Sequence, residues 1–447
     1  MDVGAVAAQM LADEARALLA RLARVKPFAL QETMVPAAAL STEAQTGIEE
    51  YLARGRRELK AKILEYVAWL PSAAGESSSA AEKQHRFTAL RLRFNVVLSQ
   101  FEIFSSALTQ RSEAETGVWL AGLDAVAEDA LRLDGGYYDP PPLVCYLDRG
   151  MGAAIRRART RLPGGGTTPV AIIRVPRERM VGSGIASSLI HEVGHQGAAL
   201  LDLVPSLRAA IATVHPTRES DRAAWRLWDR WISEIVADFW SVSTLGVAAT
   251  HGLMNVVSLP RAFVFRIDAE DPHPAPWIRV KLSCAMGRHL FPHPQWEAID
   301  KTWEALYPTS WLDRDRRRIL AALEATLPAF VAMLAAHCPR SLRGRSLAEA
   351  MPVRGRAPAD LARIHAEWRR RRGAIKEARP SLVFAVLGQA KVDGALAAEA
   401  EARTVGRMLT HWALTRALDG SAACAAARPR GANRERAPAE IAGARVA

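Results

Sequence analysis

Ser188-Leu189-Ile190-His191-Glu192-Val193-Gly194-His195-Gln196 places two histidines four residues apart, with a glutamate directly after the first. On an α-helix that spacing puts both imidazoles on one face, one turn apart, where they can share a single ion. Glu192 stands beside them as a carboxylate able to act on water held at such an ion. Leu189, Val193 and Leu200 form an apolar stripe roughly opposite the histidines. Gly194 leaves space for another backbone on the metal side. The pattern predicts a helix with two buried faces that carries two of the three protein ligands a catalytic zinc requires. The competing account is a helix whose histidines are ordinary core or surface groups. A third ligand decides between them.

That ligand has a candidate in Trp231-Ile232-Ser233-Glu234-Ile235-Val236-Ala237-Asp238-Phe239-Trp240. Trp225, Trp228, Ile232, Ile235, Phe239 and Val242 recur there at helical spacing. Glu234 and Asp238 lie one turn apart, off that stripe. Two acids on a Trp-rich, buried-looking helix are costly unless they are paired or bind metal. His191, His195 and Glu234 together make one of the standard ligand sets for Zn2+, the cofactor this reading expects. Asp238 suits a supporting place, accepting the free ring N–H of a ligand histidine and fixing its tautomer.

A third stretch follows at Asp271-Pro272-His273-Pro274-Ala275-Pro276-Trp277-Ile278-Arg279-Val280. The order H-E-x-x-H, then E-x-x-A-D, then H-P with an arginine six residues after the histidine, resembles the CAAX-prenyl-protease-like family of gluzincin zinc endopeptidases. The matching residues are His191, Glu192 and His195, then Glu234, Ala237 and Asp238, then His273, Pro274, Arg279 and Val280. The resemblance covers roughly residues 170 to 290. It implies zinc held by His191, His195 and Glu234, with Glu192 as the catalytic base. It also implies that His273 and Arg279 face the cleft and hold substrate or the tetrahedral oxyanion. The chain departs from the family in two ways. Relatives usually carry membrane spans or a secretion signal, and neither is found here. Phe239-Trp240 also follows Asp238 where the family commonly has a basic residue.

Around these motifs, 447 residues are enough for two or three domains with sizeable cores. The net charge of +12 admits a nucleic acid or another anionic partner, although an excess of Arg and Ala also follows from a genome rich in G and C. Cys145, Cys284, Cys338 and Cys424 form no C-x-x-C pair, which fits reduced thiols and a cytoplasmic location. The apolar region from Ile235 to Val257 is broken by Asp238, His251 and Asn255, so it does not read as a membrane span.

Apolar residues at spacings of three and four predict an N-terminal helical domain over 1–135 and a C-terminal helical region over 296–420. Between them, 136–295 reads as a zincin-like core with a small β-sheet, and 421–447 as a disordered basic tail. The expected fold is mainly α, of α+β type. Leu143 to Leu147 and Val170 to Pro176 read as strands, the second as an edge strand on which an extended peptide could pair. Leu162 to Pro169 reads as a connector, and Ser183 as the N-cap of the zinc helix. His215, His251, His289 and His293 are taken as structural, and Trp368-Arg369-Arg370-Arg371-Arg372 as a solvated helix face.

Two functions fit. The first is a zinc metallopeptidase acting on a peptide or protein substrate. The second is a basic helical binding or effector-type protein with a structural or vestigial zinc site. An intact Glu192 favours the first, because a structural site has no use for a general base.

Overall fold

Serine caps, one of them completed by a glutamate, set the starts of two of the N-terminal helices. The computed structural model describes residues 3–150, 152–160, 167–177, 182–268 and 270–427. Helix α1 spans Val3–Arg24, α2 Thr42–Trp69 and α3 Ala80–Thr109. The Ser41 hydroxyl accepts the Ala44 N–H at 3.2 Å, and Ser79 with Glu82 forms a reciprocal capping box at the start of α3. Ile48, Leu52 and Ile63 pack with Phe87, Phe94 and Phe104 in a core of their own. The fourth helix, α4 (Ala114–Leu131), has the same periodicity but contributes Leu120, Leu123 and Val126 to a second, larger core that runs on to Trp412.

Strands β1 (Leu143–Asp148), β2 (Ala154–Arg156) and β3 (Ala171–Pro176) form a sheet in the order β1-β3-β2, with β1 parallel and β2 antiparallel to β3. Alternation along the strands divides the sheet between the two cores. Val144 and Ile172 face the N-terminal helices, while Cys145, Leu147, Ile173 and Val175 face the larger core.

The strand at 171–176 is therefore central and not an edge: Cys145 stands opposite Ile173 on one side and Ile155 on the other. Its near-continuous burial follows from that position. The outer edge of β1 is also closed, by side chains acting in place of a strand. The Cys145 N–H donates to Asp124 Oδ1 at 2.7 Å, and its carbonyl accepts from Arg111 Nη2 at 2.5 Å. Gln110 makes both bonds to the Leu147 backbone, each at 2.8 Å. Arg111 and Asp124 are almost fully buried and paired with each other at 2.8 Å. Among the described residues neither β1 nor β2 has a further strand on its outer side, and on β1 these side chains take that place.

The site is carried by α5 (Gly184–Leu200), α7 (Glu219–Leu245), α8 (Val247–Val257) and α9 (Pro276–Leu290), with α6 (Leu203–Ala212) between the first two. Helices α10 (Gln295–Leu306), α11 (Arg314–Ala336), α12 (Pro358–Arg370), α13 (Pro380–Val392) and α14 (Ala398–Ala427) complete the larger core. Among the described residues α11 alone is long and apolar enough to cross a membrane, with a mean hydropathy of 2.0 over its most apolar window. Here its Leu320, Leu323, Leu327 and Phe330 are buried in the larger core.

Helix α14 continues to Ala427, so the expected disordered tail does not begin at 421. The alanines there lack an apolar stripe but favour helix intrinsically. The remainder of that tail, from 428, lies outside the described residues, as does most of the expected connector, 162–166. Of the Trp368–Arg372 run, the four arginines are exposed as expected, but Trp368 is buried and α12 ends at Arg370; Arg371 pairs with Glu377 at 2.9 Å.

Candidate metal centre

Two glycines bring the motif helices together. A Cβ on Gly194 would lie 2.8 Å from Ala237 Cα and 2.9 Å from Trp240 Cβ. One on Gly197 would meet the Trp240 ring at 2.3 Å. Without those atoms α7 closes onto α5, and the face holding Glu234 and Asp238 meets the face holding His191 and His195. Trp240 is fixed from behind by its indole N–H on the Ala130 carbonyl, at 2.9 Å.

His191 Nε2 lies 3.2 Å from Glu234 Oε2, and His195 Nε2 lies 3.4 Å from Oε1 of the same carboxylate. The two imidazole rings stand edge to face, 4.9 Å between centroids. One ligand atom from each of the three residues lies within 4.8 Å of the others, so the group can hold a metal ion. It is the one such His/Cys/Asp/Glu group among the described residues. His215, His251, His289 and His293 stand outside it.

The donor set fits a metal for a second reason. His191 Nδ1 bonds Asp238 Oδ1 at 2.8 Å, which holds the ring so that Nε2 faces the common point. Asp238 is held in turn by Arg279, whose Nε and Nη2 donate to its two oxygens at 2.7 and 2.8 Å. Asp238 thus lies between the His191 ring and the Arg279 guanidinium. Arg279 lines the cleft, but its fork lies along Asp238.

Burial and charge act against each other here. Burial would lower the His191 pKa, but the bonds to Asp238 and Glu234 outweigh it and push the imidazole up to about 9. Burial would raise Asp238, yet the Arg279 charge and the His191 bond hold it down at about 2. Glu234 is likewise held well below the usual carboxylate range, because its two imidazole partners overcome desolvation. In the metal-free protein the cluster therefore keeps both acids ionised and His191 protonated near neutral pH.

His273 arrives from the loop before α9. Its ring is half exposed, with Nε2 3.3 Å from Glu234 Oε2 and Nδ1 2.8 Å from Asp271 Oδ1. Asp271 also accepts the His273 backbone N–H at 2.9 Å, so a short turn orients the ring. His191, Glu192, Asp238, His273 and Arg279 all border one cleft of about 130 Å³. Gly152 and Ala153, which lead into β2, border it too.

Two supports were not anticipated from the sequence. The Gln196 side chain accepts the Ala158 N–H at 2.8 Å, tying the segment after β2 to α5. Glu401, from α14, is 1% exposed. It accepts the Ser183 N–H at 3.0 Å and the Ser183 hydroxyl, while Lys391 on α13 pairs with its other oxygen at 2.9 Å. Ser183 does precede α5, but its hydroxyl serves Glu401 and makes no cap bond to the helix. Gln196 stands one residue past the motif, a place where a sequence signal existed. Glu401 lies 218 residues from Ser183, and no local pattern connects them.

Comparison with family models, with curated proteins and with solved structures finds no match. The centre is read from its own geometry.

Proposed function

We propose that the chain is a zinc-dependent metallopeptidase of the gluzincin type. The observation that carries the reading is Glu192, 9% exposed and bordering the cleft together with His191, which converges with His195 and Glu234 as a possible metal ligand. Those three residues would hold the ion. A bound Zn2+ supplies Lewis acidity toward a water molecule and toward the carbonyl of a substrate.

Glu192 accepts the proton of the attacking water and returns it to the departing amine. Asp238 keeps His191 in the tautomer that offers Nε2, and Arg279 keeps Asp238 ionised and oriented. Arg279 acts as a positioning residue more than as a direct contact for an oxyanion. His273, exposed at the rim on the Glu234 side, is the better placed of the two to donate to a developing oxyanion. An extended peptide would run along β2, because β3 is central and the β1 edge is closed by Gln110, Arg111 and Asp124.

The alternative, a basic helical binding protein with a structural zinc site, is less favoured. Structural sites are typically closed by four protein ligands, whereas this cluster offers three beside a cleft that contains a general base. The deciding experiment compares wild type with Glu192→Gln, both loaded with one zinc per chain, against unstructured proteins and a mixed peptide library. The variant is expected to keep its metal and lose cleavage by several orders of magnitude. His273→Ala is expected to lose about a hundred-fold. Equal inertness of wild type and Glu192→Gln with zinc bound would sink the peptidase reading. Equal activity would remove Glu192 from it.

A further inference from the structure

Helix α7 carries chemistry on its outer side as well as at the metal. Arg222, Arg226 and Arg230 recur there at four-residue spacing, all exposed, the last of them one turn before Glu234. Arg208 stands on α6, and all four arginines line a groove of about 910 Å³ between the two helices. The groove also takes in Ile211, Val214 and Trp225, which are buried or half-buried and give it an apolar floor. Among the described residues one acid, Asp229, borders it against the four arginines.

The arginines are paired, but loosely. Arg222 and Arg226 share Glu219 at 2.8 and 3.1 Å while their side chains stay 49% and 70% exposed. Arg208 stands 3.8 Å from Asp229, and Arg230 stands 3.8 Å from Glu270. Ion pairs this exposed contribute little, so an entering carboxylate can replace the present partner. A guanidinium fork suits that exchange, because it holds a carboxylate through two parallel bonds.

Spacing selects the form of the occupant. Four residues of helix rise about 6 Å, and alternate side chains of an extended chain stand about 6.6 to 6.8 Å apart on one side. Acids at three alternate positions therefore fall within reach of Arg222, Arg226 and Arg230 together. The apolar floor gives the rest of such a segment contact out of water. Single-stranded nucleic acid would instead call for aromatic faces on which bases stack. Trp225 is buried edge-on against Phe330, so its face is not free for them.

We infer that the groove between α6 and α7 binds an extended acidic segment of a protein partner, with glutamate or aspartate at alternate positions. The inference concerns binding and does not rest on the peptidase reading.

Fluorescence anisotropy of a labelled peptide of alternating glutamate and valine, titrated with the full-length chain, tests it. Glu192→Gln serves as the host protein so that the peptide is not consumed. The peptide should bind, its affinity should fall as salt is raised, and a lysine–valine peptide should not bind. A peptide of the same composition with its glutamates in one block should bind more weakly. Arg226 is the residue to change, because Arg230 also donates to the Glu270 carbonyl, at 3.0 Å, in the loop that carries His273. Arg226→Glu turns an attraction into a repulsion and should weaken binding roughly ten-fold, with Arg226→Gln intermediate. Arg370→Glu, exposed on α12 and outside the lining, changes net charge equally and should have no effect. Absence of binding by the glutamate–valine peptide, or equal losses in Arg226→Glu and Arg370→Glu, would overturn the inference. Equal binding of the block peptide would overturn the extended form. Tighter binding of an oligouridylate RNA, lost in Arg226→Glu, would overturn the protein partner in favour of nucleic acid.

Discussion

Asp238→Asn removes one charge at nearly constant shape, and the surrounding distances allow its effect to be sized. In wild type, Asp238 accepts His191 Nδ1 at 2.8 Å and receives the Arg279 fork at 2.7 and 2.8 Å, with all three side chains largely buried. The raised His191 pKa, about 9 against an ordinary 6.5, corresponds to roughly 3 kcal/mol net, left after desolvation and the Arg279 charge oppose the attraction of Asp238 and Glu234. Asparagine keeps one acceptor for His191 but leaves the Arg279 guanidinium without its carboxylate. Unpairing a buried charge costs about 3 to 5 kcal/mol. The lower end is expected here, because Glu234 Oε2, 4.0 Å from Arg279 Nη2, takes up part of the charge. Zinc affinity should fall roughly 10- to 100-fold as the ring loses its fixed tautomer. Competition against a chromophoric chelator measures the affinity, and urea titration of the metal-free protein measures the stability. Arg279→Gln should be strongly non-additive with Asp238→Asn, because the two changes remove the same pair. A folded Asp238→Asn with unchanged zinc affinity would refute this account of how His191 is oriented.

Zinc loading at pH 7 should release about one proton from His191, and the apparent affinity should rise about ten-fold per pH unit until pH 9; calorimetry in two buffers of different ionisation heat tests this. The metal-free fold should carry its full His191 contribution below pH 6.5 and lose it as pH rises through 9, since the folded-state pKa is the higher one; urea midpoints across that range measure it. Gly194→Ala should destabilise by about 1 to 3 kcal/mol and weaken zinc binding, because its Cβ would push Ala237 and Trp240 away; normal zinc binding would contradict the close-packing argument. Glu401→Ala should cost about 1 to 3 kcal/mol by leaving the buried Ser183 N–H and hydroxyl unmatched, and Glu401→Gln less, since it keeps an acceptor; thermal melts that rank them otherwise would remove Glu401 as the tether of α5.

The centre was legible where chemistry and helix period coincide. His191, His195, Glu234 and Asp238 are each one turn from a partner, so short spacing rules place them on shared faces. Two acids on a helix that also carries the buried Trp228, Trp231 and Trp240 stand out for the desolvation they would otherwise suffer. Sheet order was not legible, because Ala171–Val175 is apolar enough for either position and only pairing makes it central. The place of α8 at the cleft was hidden for the opposite reason. Ala249, Leu253 and Val256 look like plain core, and their place beside Glu192 depends on how α8 packs against α5. Position 421 looked like the start of a structureless tail because alanine gives helix propensity without a stripe to count.

The sheet that separates the two cores also separates their fates under stress. The buried core of helices α1 to α3 is shared with the sheet through Val144 of β1, Ile172 of β3 and Val170 just before β3. The metal-site helices instead lie within a core that reaches from Leu120 to Trp412. Subglobal opening should therefore begin in residues 3–109. Their amide protons should exchange at low denaturant while those of α5 and α7 wait for global unfolding. Proteolysis from that end would then trim the N-terminal helices and leave a fragment with its zinc ligands still assembled.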